Sequence, residues 1–468
     1  MAAIGSRRGT SPLGSSALGR SRLSLPIALT WVAAVALALV VAASIFVLPT
    51  PLVLVPIAAV GAVVAVFGYE SLIALSLLGA AGLLPFLDTG AFAVARVPVW
   101  ALLFALACGL MLLAWSTRVL ARRPAHPLEP NLLLVLIVVY FAYVIIRLAA
   151  SQPLSLPSLA APFVAFPLAA LITYLWLSHD EALAGLRRAL PLVVALAVAW
   201  AAAYIAGAAG CDVCRTYVDT SQVRTGVLGA SSRLFTAGQN AFLGAVLIAF
   251  GQLLRRFTIP TAAVTVLGVT AIALQTSRAQ YFGFLAGAFV LLIWKFGRAR
   301  IVGRLLLVLA TVTAMAALVS SPAGERGLSA FSDVSRQGGT AGVRFIILDE
   351  SMESWSLFGL GVYRQVLSKE VNFDLGFPNT LIVLGYVGGF LQIAVLLVAL
   401  ARSAATRTLT GATLAAIFLL VLVARPTLPL VEYGHSGIAY GAALGFAAAL
   451  QSRARRPSRS PPVAPAGA

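Results

Sequence analysis

Charge is what this chain has least of. Only 10% of its 468 residues are Asp, Glu, Lys or Arg, against 60% hydrophobic, and the mean hydropathy is +0.98. A water-soluble domain needs a far larger charged share to cover its surface, which excludes the soluble globular class. The charges present are lopsided, 33 basic against 15 acidic, for a net +18. In a polytopic membrane protein such an excess sets orientation and is no sign of nucleic-acid binding.

Cysteine is nearly as scarce, with three in all. Cys108 lies inside an apolar run and reads as a small buried hydrophobe. Cys211 and Cys214 form a C-x-x-C in a connecting loop, where an oxidising compartment would permit a tight disulfide. No second ligand pair and no thioredoxin-like strand and helix pattern accompany them, which weighs against a metal or redox reading. The chain also lacks a convincing internal repeat.

What it has instead is long apolar runs. Segments of roughly 17 to 25 residues, enough to cross a bilayer, recur along most of the chain. They fall at 25–48, 51–69, 71–87, 97–116, 131–149, 159–177, 189–208, 234–254, 259–274, 279–294, 303–320, 379–400, 409–424 and 437–450. This predicts an all-α polytopic protein with about 12 to 14 transmembrane helices. A barrel is excluded because the runs lack dyad alternation, and hydrocarbon admits little else.

Loop charges then orient the stack. Arg7, Arg8, Arg118, Arg122, Arg187, Arg255, Arg256, Lys295, Arg402, Arg407 and Arg453 fall on one side, and most acids, among them Asp333, Glu370, Asp374 and Glu432, on the other. The basic side is expected in the cytoplasm, with both termini. Residues 1–24 read as a disordered lead rather than a secretory signal, because the following run is too long and lacks a small-residue cleavage site. Residues 452–468, rich in Arg and Pro, read as a disordered basic tail. Between them, 25–208 is a stack of membrane helices, and 209–451 a second membrane region with a long outer loop at 321–378 that is expected to carry short helices, such as the amphipathic stretch 343–357.

Against that pattern, Arg233, Arg278 and Arg344 stand out. They lie at ends of apolar segments on the side where basic residues are sparse, and a charge held there is costly unless paired or solvated. Each could snorkel to water or meet a nearby acid; together they point to an anionic ligand. Helix interiors are otherwise almost free of charge, with Arg147 close to an end.

The residues around these arginines have a familiar order. Ser-Ser-Arg-Leu-Phe-Thr-Ala-Gly-Gln-Asn at 231–240 is followed by Gln-Thr-Ser-Arg-Ala at 275–279, which opens an apolar run. Then come the long loop with Arg344, Leu-Phe-Gly-Leu-Gly at 357–361, and Phe-Pro-Asn-Thr-Leu-Ile-Val-Leu-Gly-Tyr-Val-Gly-Gly at 377–389. Over 233–400 this resembles the O-antigen ligase and polymerase superfamily of integral-membrane glycosyltransferases; the first half matches only as a helix stack.

The resemblance implies a reaction at the outer face of a bacterial cytoplasmic membrane. A glycan linked through pyrophosphate to a polyprenyl carrier is transferred to a sugar hydroxyl of a glycan or glycolipid acceptor, with no metal and no nucleotide cofactor. A diphosphate leaving group gains negative charge in the transition state, and guanidinium forks grip its oxygens well in a low-dielectric site. Arg278 and Arg344 match the family's arginines, with Arg233 and Asn379 as further binding residues. Ligases of the family carry a His-Asn pair where this chain has Pro378-Asn379, so the histidine expected to activate the acceptor is missing. That points toward polymerisation rather than attachment to a lipid core, and Pro378 itself fits a helix start.

For a general base the outer side offers Asp374, Glu432 and His435. His435 follows Glu432 by three residues, so a carboxylate could orient its imidazole; the plain alternative is a solvated loop histidine. His126 and His179 fall on the wrong side. Gly359 and Gly361 are expected to shape a turn rather than hold phosphate, since no strand precedes them. A transporter or flippase for an anionic or lipid-linked substrate stays open as a second reading; polar groups near the bilayer midplane and paired repeats would mark it.

Overall fold

The computed structural model describes residues 69–82, 99–120, 131–150, 157–178, 182–186, 239–275, 278–296, 352, 355–361, 376–426, 430–431 and 434–454. The expected spans at 25–48, 189–208 and 303–320, nearly all of 51–69, residues 1–24, all of the expected tail beyond 454, Cys211, Cys214 and most of the outer loop lie outside these residues, while 452–454 of that tail are helical.

The regular structure of the described residues is helical, with no strand. In chain order the helices are α1 Tyr69–Ala80, α2 Val99–Leu120, α3 Leu132–Ala150, α4 Pro157–Trp176, α5 Gln239–Arg255, α6 Ile259–Gln275, α7 Arg278–Phe296, α8 Gly376–Ala405, α9 Leu409–Ala424 and α10 Gly434–Ala454. Four contain stretches long and apolar enough to cross a membrane: Trp100–Leu120, Leu132–Ala150, Ala279–Phe296 and Gly376–Ala405. Ile146, Val266 and Phe390 are each more than 60% exposed on helix flanks, a surface suited to lipid. The protein is an all-α polytopic membrane protein.

Local sequence explains where helices begin. Thr408 caps α9 by accepting from the Gly411 amide at 3.1 Å. Asn131 does the same for α3, accepting from the Leu134 amide at 2.8 Å, while its side-chain NH₂ donates to Ala448 and Ser452 near the end of α10.

Small residues let the helices close on each other. Gly441 and Gly445 of α10 face α4 so tightly that a Cβ on them would sit 2.9 Å from Ala169 Cβ and Thr173 Cβ. Gly283 and Gly287 of α7 do the same against α9, where a Cβ would meet the carbonyls of Leu420 and Ala416 at 3.1 and 2.8 Å. Both are small-xxx-small ridges, through which membrane helices gain van der Waals contact where lipid gives no hydrophobic drive.

The contacts sort the helix ends into two sets. At one end Arg118, closing α2, pairs with Glu70 of α1 at 3.0 Å. There too Arg453 of α10 donates to the Leu177 carbonyl after α4, and Trp294 of α7 to the Arg407 carbonyl before α9. Arg255, Arg256, Lys295 and Arg402 belong to this basic-rich end by helix alternation. At the far end the end of α1 meets the start of α10, the start of α5 meets the start of α7, and the start of α8 meets the end of α9.

Candidate functional site

The far end is where polar groups are folded into the protein. Helix α7 begins at Arg278, and its Gly283 lies against Ala424, so this arginine enters the bundle at the same end as Arg425. Two residues on, Gln280 is fully buried and donates to the Asn240 side-chain carbonyl at 3.0 Å; the Tyr440 hydroxyl donates to the Asn240 backbone carbonyl at 2.6 Å. The Gln280 side-chain oxygen has no hydrogen-bond partner among the described residues.

Arg425, just past α9 and only 2% exposed, organises α8. Its guanidinium donates to Thr380 Oγ1 at 3.3 Å and to Gln392 Oε1, and stacks 4.7 Å from the centre of the Phe377 ring. Its carbonyl accepts the Phe377 amide at 3.2 Å. Thr380 also donates to Gln392 at 3.3 Å. Asn379, between these groups in sequence, is 4% exposed, and its side-chain NH₂ finds no acceptor among the described residues.

Thr380 and Gln392 lie on opposite sides of a break. At Gly385 the backbone of α8 leaves helical geometry, with φ 70° and ψ −174°. The motif 357–361 fills the gap: Leu360 and Gly361 amides donate to the Ile382 and Val383 carbonyls at 2.7 and 3.0 Å, and Tyr386 and Val387 amides donate to Ser356 and Leu357 at 3.0 and 3.1 Å. Gly359, at φ 77°, crosses Gly385 so closely that a Cβ on it would meet the Val383 carbonyl at 2.5 Å. Gly359 and Gly361 thus make a positive-φ turn, as their sequence setting predicts. From α3, the Tyr143 hydroxyl donates to the Leu384 carbonyl at 2.6 Å and Arg147 to the Gly359 carbonyl at 2.7 Å.

His435 is the second residue of α10, not a loop residue, and is 4% exposed rather than solvated. The apolar pattern places the helix start at 437, but the chain enters it at Gly434. The group on its Nδ1 is the Ala80 carbonyl, at 2.9 Å, with the Trp100 ring 5.5 Å away. A carbonyl only accepts, so Nδ1 is the donor in this contact.

Among the expected site residues, Arg278, Asn379 and His435 belong to described segments of the far end. Arg233, Arg344, Glu432 and the base candidate Asp374 lie outside the described residues. Pro378 sits in the first turn of α8, the setting expected of it. Arg425 and Tyr143 carry no signal in the sequence, and Arg147 shows there only as a charge close to a helix end. Among the described residues no group of three or more His, Cys, Asp or Glu could hold a metal ion. The chain matches no model of a known protein family and no curated protein.

Proposed function

We propose that this protein is an integral-membrane glycosyltransferase that binds a polyprenyl-pyrophosphate-linked glycan at the far end of the bundle. It transfers the glycan to a sugar hydroxyl of a glycan or glycolipid acceptor, as a polysaccharide polymerase or ligase. The observation that carries this is Arg278 opening a membrane-crossing helix at the end that also holds buried Asn379, which has a spare donor. The order of motifs from 231 to 389 supports the same reading, as does the separation of basic residues, which by the positive-inside rule favours a cytoplasmic basic-rich end and an outer far end.

Chemically, Arg278 would hold pyrophosphate oxygens and stabilise the charge that develops as the carrier leaves. Arg344 and Arg233 are assigned the same task. The acceptor proton goes to one of Asp374, Glu432 or His435, or directly to solvent or phosphate. The alternative reading, a transporter or flippase, draws on the broken helix α8, a feature of transporter binding sites. In this chain, however, the backbone at the break is bonded to 356–361 rather than left open to a cavity.

The test uses purified protein in proteoliposomes with a polyprenyl-pyrophosphate oligosaccharide and a glycan acceptor, following released polyprenyl pyrophosphate. Arg278→Ala should lower turnover by about 10²-fold or more, and Arg278→Lys should stay impaired because a point charge does not replace a fork. Donor movement across the bilayer without glycan transfer would favour the transporter; undiminished transfer by Arg278→Ala would remove the basis for this site.

A further inference from the structure

We propose that Tyr143 and Arg147 of α3 form a latch that holds segment 356–361 in the break of α8, and that they are positioning residues for the far-end site. The part of α8 before the break runs from Gly376 to Leu384, little more than two turns. A helix that short is marginal alone, so its place depends on what grips its two ends. Its start is held by the Arg425 carbonyl and guanidinium. Its final carbonyls, on Ile382, Val383 and Leu384, are taken by Leu360, Gly361 and Tyr143.

Four of the break's bonds come from one loop segment, and α3 fixes that segment in turn. Arg147 donates to the Gly359 carbonyl at 2.7 Å, and the Tyr143 hydroxyl, besides its bond to Leu384, lies 3.4 Å from the Phe358 carbonyl. A Cβ on Gly388 would lie 2.9 Å from the Tyr143 ring, so the tyrosine is also wedged against the second half of α8. One face of α3 therefore touches the loop and both halves of the broken helix. Asn379 rides on the short half. Loosening the latch frees the helix that carries it without removing any group proposed to touch substrate.

The test runs on the full chain in nanodiscs and has two arms. Amide exchange is followed by mass spectrometry in peptides covering 355–361 and 382–388, with Arg147→Met, Arg147→Lys and Tyr143→Phe. Exchange there should quicken by at least about tenfold in Arg147→Met and Tyr143→Phe, the worth of a buried hydrogen bond, while peptides from α9 and α10 stay protected. Arg147→Lys, which keeps a charged donor, should restore most of the protection. The second arm rests on the transferase reading: kcat should fall in step with lost protection, with donor KM changed by less than about threefold, because positioning rather than donor contact is lost. Unchanged exchange in Arg147→Met overturns the latch. So does exchange that rises throughout the bundle and is not corrected by lysine. Faster exchange with normal kcat overturns the positioning role. If the wild-type protein transfers no glycan, the transferase reading fails, and the exchange arm alone decides the latch.

Discussion

The two ends of the bundle use arginine in opposite ways. At the basic-rich end Arg118 meets the Glu70 carboxylate and Arg453 a helix-end carbonyl, the ordinary fates of charge where membrane gives way to water. At the far end Arg147 and Arg425 hold irregular backbone and uncharged side chains: a turn carbonyl, a threonine, a glutamine and an aromatic ring. Sequence alone shows both sets as arginines beside apolar runs. The difference teaches that, near a bilayer, a cation's position matters less than what it is folded against. Arginines at the basic-rich end meet a carboxylate and a helix end; those at the far end shape the fold.

The sharpest break in this comparison comes from the far end's glycines. Gly385→Val and Gly359→Val place a β-branched side chain at positive φ and into facing backbone, a Cβ on Gly385 meeting the Leu357 carbonyl at 2.6 Å. Each should cost more than about 3 kcal/mol and abolish monodisperse protein in detergent chromatography. Wild-type yield and melting would show that the helix break is not required. Next in size, Arg425→Met removes the guanidinium donor from Gln392 and Thr380 and should cost about 2 to 3 kcal/mol by thermal melting, with Arg425→Lys recovering less than half. The matching change at the basic-rich end, Arg118→Lys, keeps the Glu70 carboxylate as a partner and should cost under about 1 kcal/mol. Equal penalties for the two lysine variants would erase the proposed contrast. Smallest in effect are labelling sites: Leu357→Cys and Ala405→Cys, both at exposed positions, should leave folding unchanged. In intact cells an impermeant maleimide should label only the former, and the reverse pattern would invert the orientation.

Much of the helix stack is legible in the sequence because bilayer-length hydropathy is a strong signal. The apolar pattern places a span at 409–424, and α9 is Leu409–Ala424. It misses the break in α8, since Leu-Ile-Val-Leu-Gly-Tyr-Val keeps its hydropathy straight through Gly385, and only the approach of 357–361 reveals why a glycine stands there. It also passes over Arg425, which beside Pro426 looks like any helix-end flank. Arg147 is recognisable as a charge near a helix end, but its partner is 212 residues away, a pairing that no local pattern announces. The solvated-loop alternative for His435 fails for a related reason: Gly434 and Ser436 look like loop residues, yet both belong to α10, and the imidazole turns inward to Ala80.

The proposed transferase requires that the far end, not the basic-rich end, receive a pyrophosphate-linked lipid. The direct measurement is photo-crosslinking with a polyprenyl-pyrophosphate analogue carrying a diazirine next to the diphosphate, followed by peptide mapping. Adducts are expected at the start of α7, 278–283, and in the short half of α8, 376–384, both lost in Arg278→Ala. Adducts instead around Arg118, Arg402 and Arg453, or adducts indifferent to Arg278, would contradict it.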